Sequence, residues 1–522
     1  MKIVIIILNI LMMLAFLAFA VCSVIHSLHM FQLNSYKIPT HMRWLGNNRK
    51  TLLPGAAAAA VALIAIVFEP IPAAIVLIVT FGLLLPAVRP RKAKKPLVYT
   101  NRVKRMVLTM VILAALLAVP AVWLGAKAAL VILALACGAM PFWVLAANTI
   151  NKPIEKAINR YYINDAKKIL AGCKNLTVIG VTGSFGKTSV KYILTTLLQA
   201  RYNVLMTPES YNTPMGVVIT VRQHLRATHE VFVCEMGARH VGDIRELCDI
   251  AHPHHGIITS VGPQHLETFH SIDNVKKTKF ELADALPAEG VAFLNGEDAN
   301  IAEHRHNVKN KTVTYGLTDR CDYYATDISA SSKGTTFTVH APDGTCETFT
   351  THMVGKHNVI NIVGAMAICG HMGIPLGALK GQVRKLEGVP HRLQLIRKGG
   401  GITVIDDAYN ANPTGSKAAI DALALFDGFK ILVTPGMVEL GHRQAELNRE
   451  FGAYAAGVCD YVVLVGKANS DSIYEGLISA GYPAEKIYVA EELGDGLQKA
   501  YAADAAGKEK IILLENDLPD NF

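Results

Sequence analysis

Long apolar runs dominate the first 150 residues of this 522-residue chain. At 1.5 Å per helical residue, runs of this length can cross the hydrocarbon core of a bilayer, so the pattern predicts transmembrane helices. Five runs are visible, at residues 3–25, 52–68, 71–88, 106–124 and 128–147. Short breaks at 69–70 and 125–127 join the last four runs into two predicted hairpins. A cleaved signal peptide is the alternative for the first run, and a re-entrant segment is the alternative for the second.

The distribution of charge predicts how these helices are oriented. Residues 1–170 hold 19 Lys and Arg against 3 Asp and Glu, whereas the remainder holds 32 against 39. Basic residues concentrate in the linkers at 26–51 and 89–105, beside apolar runs, which favours a membrane surface over nucleic acid. Because basic loops stay in the cytoplasm, we expect the N-terminus outside and everything after residue 147 inside. The chain is therefore predicted to be multi-pass, with membrane lipid as a partner and no nucleic acid.

From residue 175 onward the pattern changes to short β-rich runs that alternate with helical stretches, which predicts parallel sheets covered by helices. Strands are expected at 176–181, 231–234, 256–260 and 291–294, and in a second series at 402–405, 430–433, 461–465 and 510–514. The predicted fold class is multi-domain, an α-helical transmembrane region followed by an α/β P-loop ATPase domain and a smaller, Rossmann-like α/β C-terminal domain. The expected bounds are 1–150 for the transmembrane region, 151–174 for a linker, 175–389 and 390–522. The nine cysteines are scattered, which indicates reduced thiols.

A glycine-rich segment between a predicted strand and a predicted helix indicates nucleotide binding. Residues 180–188 read GVTGSFGKT, one residue longer than the strict P-loop pattern but with its Gly-Lys-Thr end intact. Glycines let backbone N–H groups turn toward phosphate oxygens at a helix N-terminus, Lys187 balances phosphate charge, and the Thr188 hydroxyl suits Mg²⁺. The expected nucleotide-binding residues of the loop are Gly183, Ser184, Gly186, Lys187, Thr188 and Ser189. A glycine-rich turn without a ligand is the alternative.

Two further polar residues are expected at the same edge of the sheet. Glu235 ends an apolar strand, where a carboxylate could hold a hard cation, and His265 follows the next strand. A solvated glutamate and a structural histidine are the alternatives. Together with the P-loop, these positions predict a metal and phosphate site.

Several segments in order along residues 175–515 resemble the muramyl-peptide (Mur) ligase family. They are the P-loop, YNTPMG at 211–216, EMGA at 235–238, HLE at 265–267, GKHNVIN at 355–361, HRLQ at 391–394 and DDAYNANP at 406–413. The last segment is most similar to the members that add D-alanyl-D-alanine to a muramyl tripeptide. The resemblance implies an ATP- and Mg²⁺-dependent ligase of bacterial peptidoglycan precursor synthesis, which joins a carboxylate to an amine through an acyl phosphate.

The resemblance also implies roles for individual residues. Thr188, Glu235 and His265 would bind metal, and Lys279 would be the carbamylated lysine that holds a second metal, with Lys277 as the alternative. Catalysis would thus rest on Lys187, Lys279, His265 and Glu235. Asn358 would contact the adenine, Arg392 the phosphates and Asp407 the region of the ribose. The expected substrate-binding residues are Asn212, Thr213, Tyr409, Asn410 and Asn412.

Two departures from the family affect the expected substrates. The transmembrane region stands where family members hold the UDP end of the precursor, so the acceptor is either UDP-linked or lipid-linked. Residues 514–520 read LENDLPD in place of a Lys-Gly-Ser segment, which predicts either an acidic turn for a more cationic amine or a solvated tail. The expected function is a membrane-bound ATP-dependent amide ligase at the cytoplasmic face. An idle nucleotide-binding scaffold for envelope enzymes is the alternative.

Overall fold

The computed structural model describes residues 2–90, 96–331, 334–388, 393–408, 412–438, 440–467 and 469–516. The chain forms two compact units, residues 1–160 and residues 161–518.

The secondary structure described within the first unit is helical. Its helices are α1 (Lys2–Leu33), α2 (Ile38–Asn47), α3 (Leu53–Ile64), α4 (Pro70–Val88), α5 (Asn101–Trp123), α6 (Ala126–Gly138) and the first part of α7 (Met140–Gly172). Phe16 and Phe19 of α1 each contact Phe81 of α4, with ring centroids 5.5 Å apart. A Cβ atom at Gly55 of α3 would lie 2.7 Å from the Cys137 carbonyl oxygen of α6, so a small residue permits this close helix packing.

Four helical segments of the described chain are long and apolar enough to cross a membrane: Ile3–Leu33, Arg49–Val67, Pro70–Val88 and Asn101–Pro120. A fifth arises only if α6 and α7 together count as one span, and these two helices are bent by 80°. The fifth predicted span, at 128–147, is thus divided between two helices, and it stays a prediction. Gly138 ends α6, and Pro141 lies in the first turn of α7, where a missing N–H costs no helical hydrogen bond.

Residues 151–172, expected to be a linker, continue α7. Polar side chains join α7 to α5 within the first unit. Arg105 forms two hydrogen bonds with Glu155, at 2.7 and 2.9 Å, and the Thr109 hydroxyl donates to Asn151 at 3.0 Å. The paired charges explain how a glutamate that is 8% exposed is accommodated here.

The second unit begins with a nine-stranded sheet. Its strands are β1 (Thr177–Thr182), β2 (Val204–Met206), β3 (Val231–Glu235), β4 (His255–Ile258), β5 (Val291–Asn295), β6 (Lys311–Gly316), β7 (Tyr323–Ser331), β8 (Gly334–His340) and β9 (Cys346–Thr351). Its helices are α8 (Lys187–Leu198), α9 (Pro214–His224), α10 (Asp243–Ala251), α11 (Leu266–Phe269), α12 (Ile272–Asp284), α13 (Ala299–His304), α14 (Lys356–His371) and α15 (Lys380–Arg384).

The strand order of this sheet is β2-β3-β1-β4-β5-β6-β7-β8-β9. Pairing is parallel from β2 to β7 and antiparallel from β7 to β9. The parallel α/β fold predicted for this region is confirmed, and its four predicted strands appear within two residues of their expected bounds. The antiparallel extension was not predicted, because its threonine-rich strands lack the apolar runs of buried parallel strands.

A six-stranded sheet follows, with strand order β10-β11-β15-β12-β13-β14. Its strands are β10 (Gln394–Gly399), β11 (Ile402–Asp407), β12 (Phe429–Thr434), β13 (Tyr461–Val465), β14 (Ile487–Ala490) and β15 (Lys510–Glu515), and its helices are α16 (Pro413–Ala424), α17 (Gln444–Ala455), α18 (Ser470–Ser479) and α19 (Leu493–Ala502). Only β10 is antiparallel to its neighbour. The Rossmann-like fold predicted for the C-terminal region is confirmed.

Candidate active site

The P-loop has the expected position between β1 and α8. Gly183 has φ +153° and Gly186 has φ +78°, values that disfavour other residues. A Cβ atom at Gly183 would lie 2.0 Å from the Thr259 hydroxyl oxygen. This loop can therefore pack against the segment after β4 only with glycine at position 183.

The segment after β4 holds the P-loop in place. The Ser184 amide donates to the Ser260 carbonyl oxygen at 2.8 Å, and the Phe185 amide donates to the Ser260 hydroxyl at 2.7 Å. The Ser184 hydroxyl donates to the Gly262 carbonyl oxygen and accepts from the Gly262 amide, both at 3.0 Å. Ser184, predicted to bind nucleotide, thus uses its side chain to anchor the loop. Sequence reasoning missed Ser260, which gave no signal beyond following a strand.

Lys187 and Thr188 begin α8 and face different partners. The Lys187 ammonium donates to the carbonyl oxygens of Gly183 and Ser184, at 2.7 and 3.1 Å, so its charge lies against the loop. The Thr188 hydroxyl donates to Glu235 Oε1 at 3.1 Å. The predicted P-loop threonine and strand-end glutamate are therefore in direct contact.

Glu235 is 1% exposed at the end of β3 and has three polar contacts. Its Oε1 accepts from the Thr188 hydroxyl and from the Asn212 amide, each at 3.1 Å. Its Oε2 lies 3.1 Å from the Lys191 ammonium of α8, which is fully buried. The structure thus brings Thr188 and Glu235 together, as predicted for one edge of the sheet, and it adds Asn212 and Lys191 to the group. Lys191 follows Lys187 by one helical turn, which was the available signal.

His265 lies on the segment after β4, at the same edge of the sheet. Since β1 pairs with both β3 and β4, the segments that follow these three strands are neighbours. The Thr268 hydroxyl donates to the Arg239 carbonyl oxygen at 2.5 Å, which joins the segment after β3 to the one after β4. His265 has φ +51°, and its carbonyl oxygen accepts from the Phe269 amide at 3.0 Å.

The donor groups at this edge suit a magnesium ion. Mg²⁺ prefers oxygen ligands and is commonly held by one or two carboxylates together with substrate phosphates and water. The Thr188 hydroxyl and the Glu235 carboxylate supply such oxygens beside the P-loop. Among the described residues no group of three or more His, Cys, Asp or Glu side chains forms a metal centre. The site therefore fits a cation that binds together with a nucleotide.

Lys279 is 1% exposed on α12, whereas the alternative, Lys277, is exposed. Burial lowers the pKa of the Lys279 ammonium well below its usual range, the charge of Lys187 lowers it further, and Asp243 and Glu281 act in the opposite direction. A lysine with a depressed pKa carries more of the neutral amine, which is the form that reacts with carbon dioxide. Burial and a lowered pKa thus distinguish Lys279 from Lys277.

Helix α14 approaches the P-loop with its first turns. A Cβ atom at Gly186 would lie 3.1 Å from the Asn361 side-chain oxygen. Asn358, predicted to contact adenine, lies one turn earlier, is 6% exposed and donates to the Val354 carbonyl oxygen at 2.8 Å. Asn361 belongs to the GKHNVIN motif at 355–361, but the sequence alone indicated no role for it.

Two of the C-terminal candidates, Asp407 and Asn412, lie at the carboxyl edge of the six-stranded sheet. Asp407 ends β11, and its Oδ1 accepts from the Leu393 amide at 3.2 Å. Asn412 caps α16 by accepting from the Gly415 amide at 2.8 Å, and Thr213 caps α9 in the same way at 3.4 Å. Arg392, Tyr409 and Asn410 lie outside the described residues. Helix capping alone is therefore sufficient to explain why an asparagine and a threonine occupy these two positions.

Neither interpretation of the C-terminal acidic segment holds for Glu515 itself. It is neither in a turn nor solvated, because it ends β15 and is 0% exposed. The hydroxyl groups of Ser416 and Thr434 donate to its two oxygens, the second at 2.6 Å. The pKa of Glu515 is raised to about 7. Burial is the largest cause and the charge of Asp407 also raises the pKa, while the two hydrogen bonds act in the opposite direction. Residues 517–520 of the segment lie outside the described residues.

A concave surface of about 630 Å³ lies at the opposite edge of the six-stranded sheet, beside Ile402 and Lys510, where β11 and β15 begin. Ligands of open α/β sheets bind outside the carboxyl ends of the strands. This surface is therefore separate from the candidate site.

Two family models match this part of the chain: the Mur ligase middle domain over residues 181–369 and the Mur ligase glutamate ligase domain over residues 391–515. The N-terminal helices precede both matches. The UDP-N-acetylmuramoyl-tripeptide–D-alanyl-D-alanine ligase of Bacillus subtilis is 36% identical over 342 residues, which are 65% of this chain and 72% of that protein. The chain belongs to the Mur ligase family.

Other relatives agree with this result. The ligase of the same name from Haemophilus influenzae is 33% identical, with 68% of this chain and 77% of that protein covered. A crystal structure of MurF from Acinetobacter baumannii matches with a TM-score of 0.62 and 27% identity over 69% of this chain and 77% of that chain. MurF from Thermotoga maritima, solved with ADP, matches with a TM-score of 0.61 and 26% identity over 69% and 80%.

The family establishes the class of reaction. The protein is an ATP-dependent ligase that uses ATP and Mg²⁺, as the P-loop and the Thr188–Glu235 pair predicted. The idle scaffold considered from the sequence is not needed to explain these residues.

Proposed function

We propose that this protein is a membrane-bound ligase that adds D-alanyl-D-alanine to the peptide carboxylate of a muramyl tripeptide. The proposal is supported mainly by the contacts of Glu235, whose Oε1 accepts hydrogen bonds from the P-loop hydroxyl of Thr188 and from the side-chain amide of Asn212. One oxygen atom thus joins the nucleotide side of the site to the segment expected to hold the acceptor. The amine is proposed from the relatives that carry this activity in their names.

The first half-reaction activates the acceptor. An oxygen of the acceptor carboxylate attacks the γ-phosphorus of ATP, ADP leaves, and an acyl phosphate forms. Lys187 holds the phosphates at the loop, while Thr188, Glu235 and His265 provide the metal ligands. Mg²⁺, when bound, neutralises charge on the phosphates and on the attacking oxygen. Asn212 and Thr213 orient the acceptor, and Asn358 contacts the adenine.

In the second half-reaction the amine nitrogen attacks the acyl carbon, and a tetrahedral intermediate expels inorganic phosphate and releases a proton. The C-terminal domain contributes Asp407 near the ribose, Arg392 at the phosphates, and Tyr409, Asn410 and Asn412 toward the substrates. A carbamate on Lys279 would convert a buried cation into an anion able to bind a second metal ion. Exclusion of water protects the acyl phosphate from hydrolysis.

The proposed location is the bacterial cell membrane, with several spans in the N-terminal unit and the catalytic domains in the cytoplasm. Four apolar helices of suitable length support this location, as does the basic composition of the linkers between them. The helices precede the family models, which start at residue 181, and we propose that they replace a domain that would hold a soluble precursor. We propose that the acceptor is lipid-linked, because a bilayer raises its local concentration beside the enzyme.

A competition experiment tests both parts of the proposal. The full-length protein in detergent is incubated with Mg-ATP, bicarbonate, D-alanyl-D-alanine and equal amounts of UDP-linked and undecaprenyl-linked muramyl tripeptide. Mass spectrometry should show the dipeptide mass added, mainly to the lipid-linked acceptor. If only the UDP-linked acceptor gains the dipeptide, the proposal of a lipid-linked acceptor is wrong. If neither acceptor gains it, the proposal of D-alanyl-D-alanine as the amine is wrong. Glu235→Gln serves as the inactive control.

A further inference from the structure

Lys191 is a fully buried cation that the reaction described above does not use. Its ammonium lies 3.1 Å from Glu235 Oε2 and also donates to the Glu209 carbonyl oxygen. It lies 4.9 Å from the centroid of the Tyr192 ring, a favourable distance for a cation. An ammonium without exposed surface is costly unless it is paired, so its position must be maintained by these contacts.

The two oxygens of Glu235 have different partners. Oε1 accepts from neutral groups, the Thr188 hydroxyl and the Asn212 amide, and these share the edge with the P-loop. Oε2 faces the ammonium of Lys191. The ion pair therefore holds the carboxylate in the orientation that presents Oε1 to the nucleotide side.

Lys191 also reaches the segment between β2 and α9. Glu209 has φ +39°, a left-handed conformation that is strained for a glutamate, and its carbonyl oxygen accepts from Lys191. Three residues later, Asn212 contacts Glu235, and the Asn212 carbonyl oxygen accepts from the Gly237 amide at 2.8 Å. One ammonium thus joins the carboxylate and the backbone of the acceptor-side segment.

We infer that Lys191 is a positioning residue that orients Glu235 for metal binding and holds residues 209–212 in place for the acceptor. The inference rests on the proposed roles of Glu235 and Asn212. It predicts that loss of the ammonium weakens binding that depends on Mg²⁺ and raises the KM of the acceptor, while binding of ADP without metal stays the same. Removing a residue that holds a metal ligand in place, without itself touching the metal, commonly changes metal affinity by about 10- to 100-fold.

Calorimetric titration of the full-length protein with ADP, in the presence of Mg²⁺ or of EDTA, provides a readout that does not depend on turnover. For Lys191→Met we expect the gain in ADP affinity on adding Mg²⁺ to fall by about tenfold, with the affinity in EDTA changed less than about twofold. Lys191→Arg, which keeps the charge, should restore part of the gain. Lys276→Met, which removes another largely buried lysine that pairs with Glu303 at 2.5 Å, is the matched control.

The double variant Lys191→Met/Glu235→Gln distinguishes positioning from folding. Removing both charges avoids an unpaired buried ion, so the double variant should unfold at a higher temperature than Lys191→Met alone. In the Glu235→Gln background, loss of Lys191 should cause no further change in the effect of Mg²⁺. The inference is overturned if Lys191→Met keeps the full effect of Mg²⁺ while Glu235→Gln loses it, a result that leaves the proposed function intact. If Glu235→Gln also keeps the effect, the proposed metal ligand itself is wrong.

Discussion

A glutamate ends a strand in each of the two sheets of the second unit, and the two side chains are buried to the same degree. Glu235 at the end of β3 faces the Lys191 ammonium, the Thr188 hydroxyl and the Asn212 amide. Glu515 at the end of β15 is held by the hydroxyl groups of Ser416 and Thr434. The burial of these carboxyl groups is equal, so their different chemistry must come from the neighbours.

Glu235 is paired with an ammonium at 3.1 Å. The hydroxyl groups around Glu515 donate hydrogen bonds but carry no charge, and burial raises its pKa to about 7. The first carboxylate is therefore held in an ion pair beside the P-loop, whereas the pKa of the second lies near neutral pH. The comparison teaches that a strand end supplies a position and that side chains from other elements determine its function.

The comparison is tested most strongly by removing the carboxylate proposed to bind metal. Glu235→Gln keeps the shape of the side chain but removes its charge, so we expect a loss of about a thousandfold in amine-dependent release of ADP, equivalent to about 4 kcal/mol of transition-state stabilisation. The rate is measured in full-length protein at saturating Mg-ATP. Activity within about tenfold of the unaltered protein would show that Glu235 is not a metal ligand.

A smaller effect is expected at Lys279, the proposed second metal ligand. Lys279→Ala removes the buried amine, and we expect activity to fall by about 10- to 100-fold. If a carbamate acts here, depletion of bicarbonate should lower the activity of the unaltered protein and leave the variant unchanged. Lys277→Ala, which alters an exposed neighbour on the same helix, is the matched control. An equal loss in both variants would contradict the assignment to Lys279.

The pH dependence of stability sharpens the contrast at Glu515. Its pKa in the folded protein is raised from 4.5 to about 7, so the folded state binds more protons than the unfolded state between these values. Stability from this group is complete below about pH 4.5 and is lost as the pH rises to about 7, by about 3 kcal/mol. In Glu515→Gln the melting temperature should fall less over this range. A parallel pH dependence in the variant and the unaltered protein would refute the shifted pKa.

The smallest effects are expected at the two helix caps. Asn412→Ala and Thr213→Ala each remove a side-chain acceptor from a helix N-terminus, which costs about 1 kcal/mol. Asn412→Ser should recover the melting temperature, because serine also caps. If Asn412→Ser recovers stability but not turnover, the asparagine also has the proposed substrate role. Full recovery of both would reduce its role to capping.

The sequence was sufficient where the physics is local. Positive φ angles at Gly183 and Gly186 follow from the P-loop pattern, and the eight predicted strands of the two sheets appear within two residues of their expected bounds. It failed where short-range patterns are ambiguous. The apolar run at 128–147 contained a glycine and a proline whose 80° bend depends on how α6 and α7 pack. The acidic residues after 514 had the composition of a solvated segment, but Glu515 belongs to a central strand.

By itself, the sequence determined the order of a helical region and two α/β regions, the phosphate-binding loop and the family, because hydropathy periodicity and glycine conformations depend on adjacent residues. Only the tertiary structure decided which groups meet. The pairing of β1 with β3 and β4 brings Glu235 and the segment of His265 to the P-loop, although they are distant in the chain. The same packing buries Lys191 against Glu235 and leaves Glu515 among hydroxyl groups. Charge and burial at such sites are properties of the assembled neighbours, and the order of residues does not contain them.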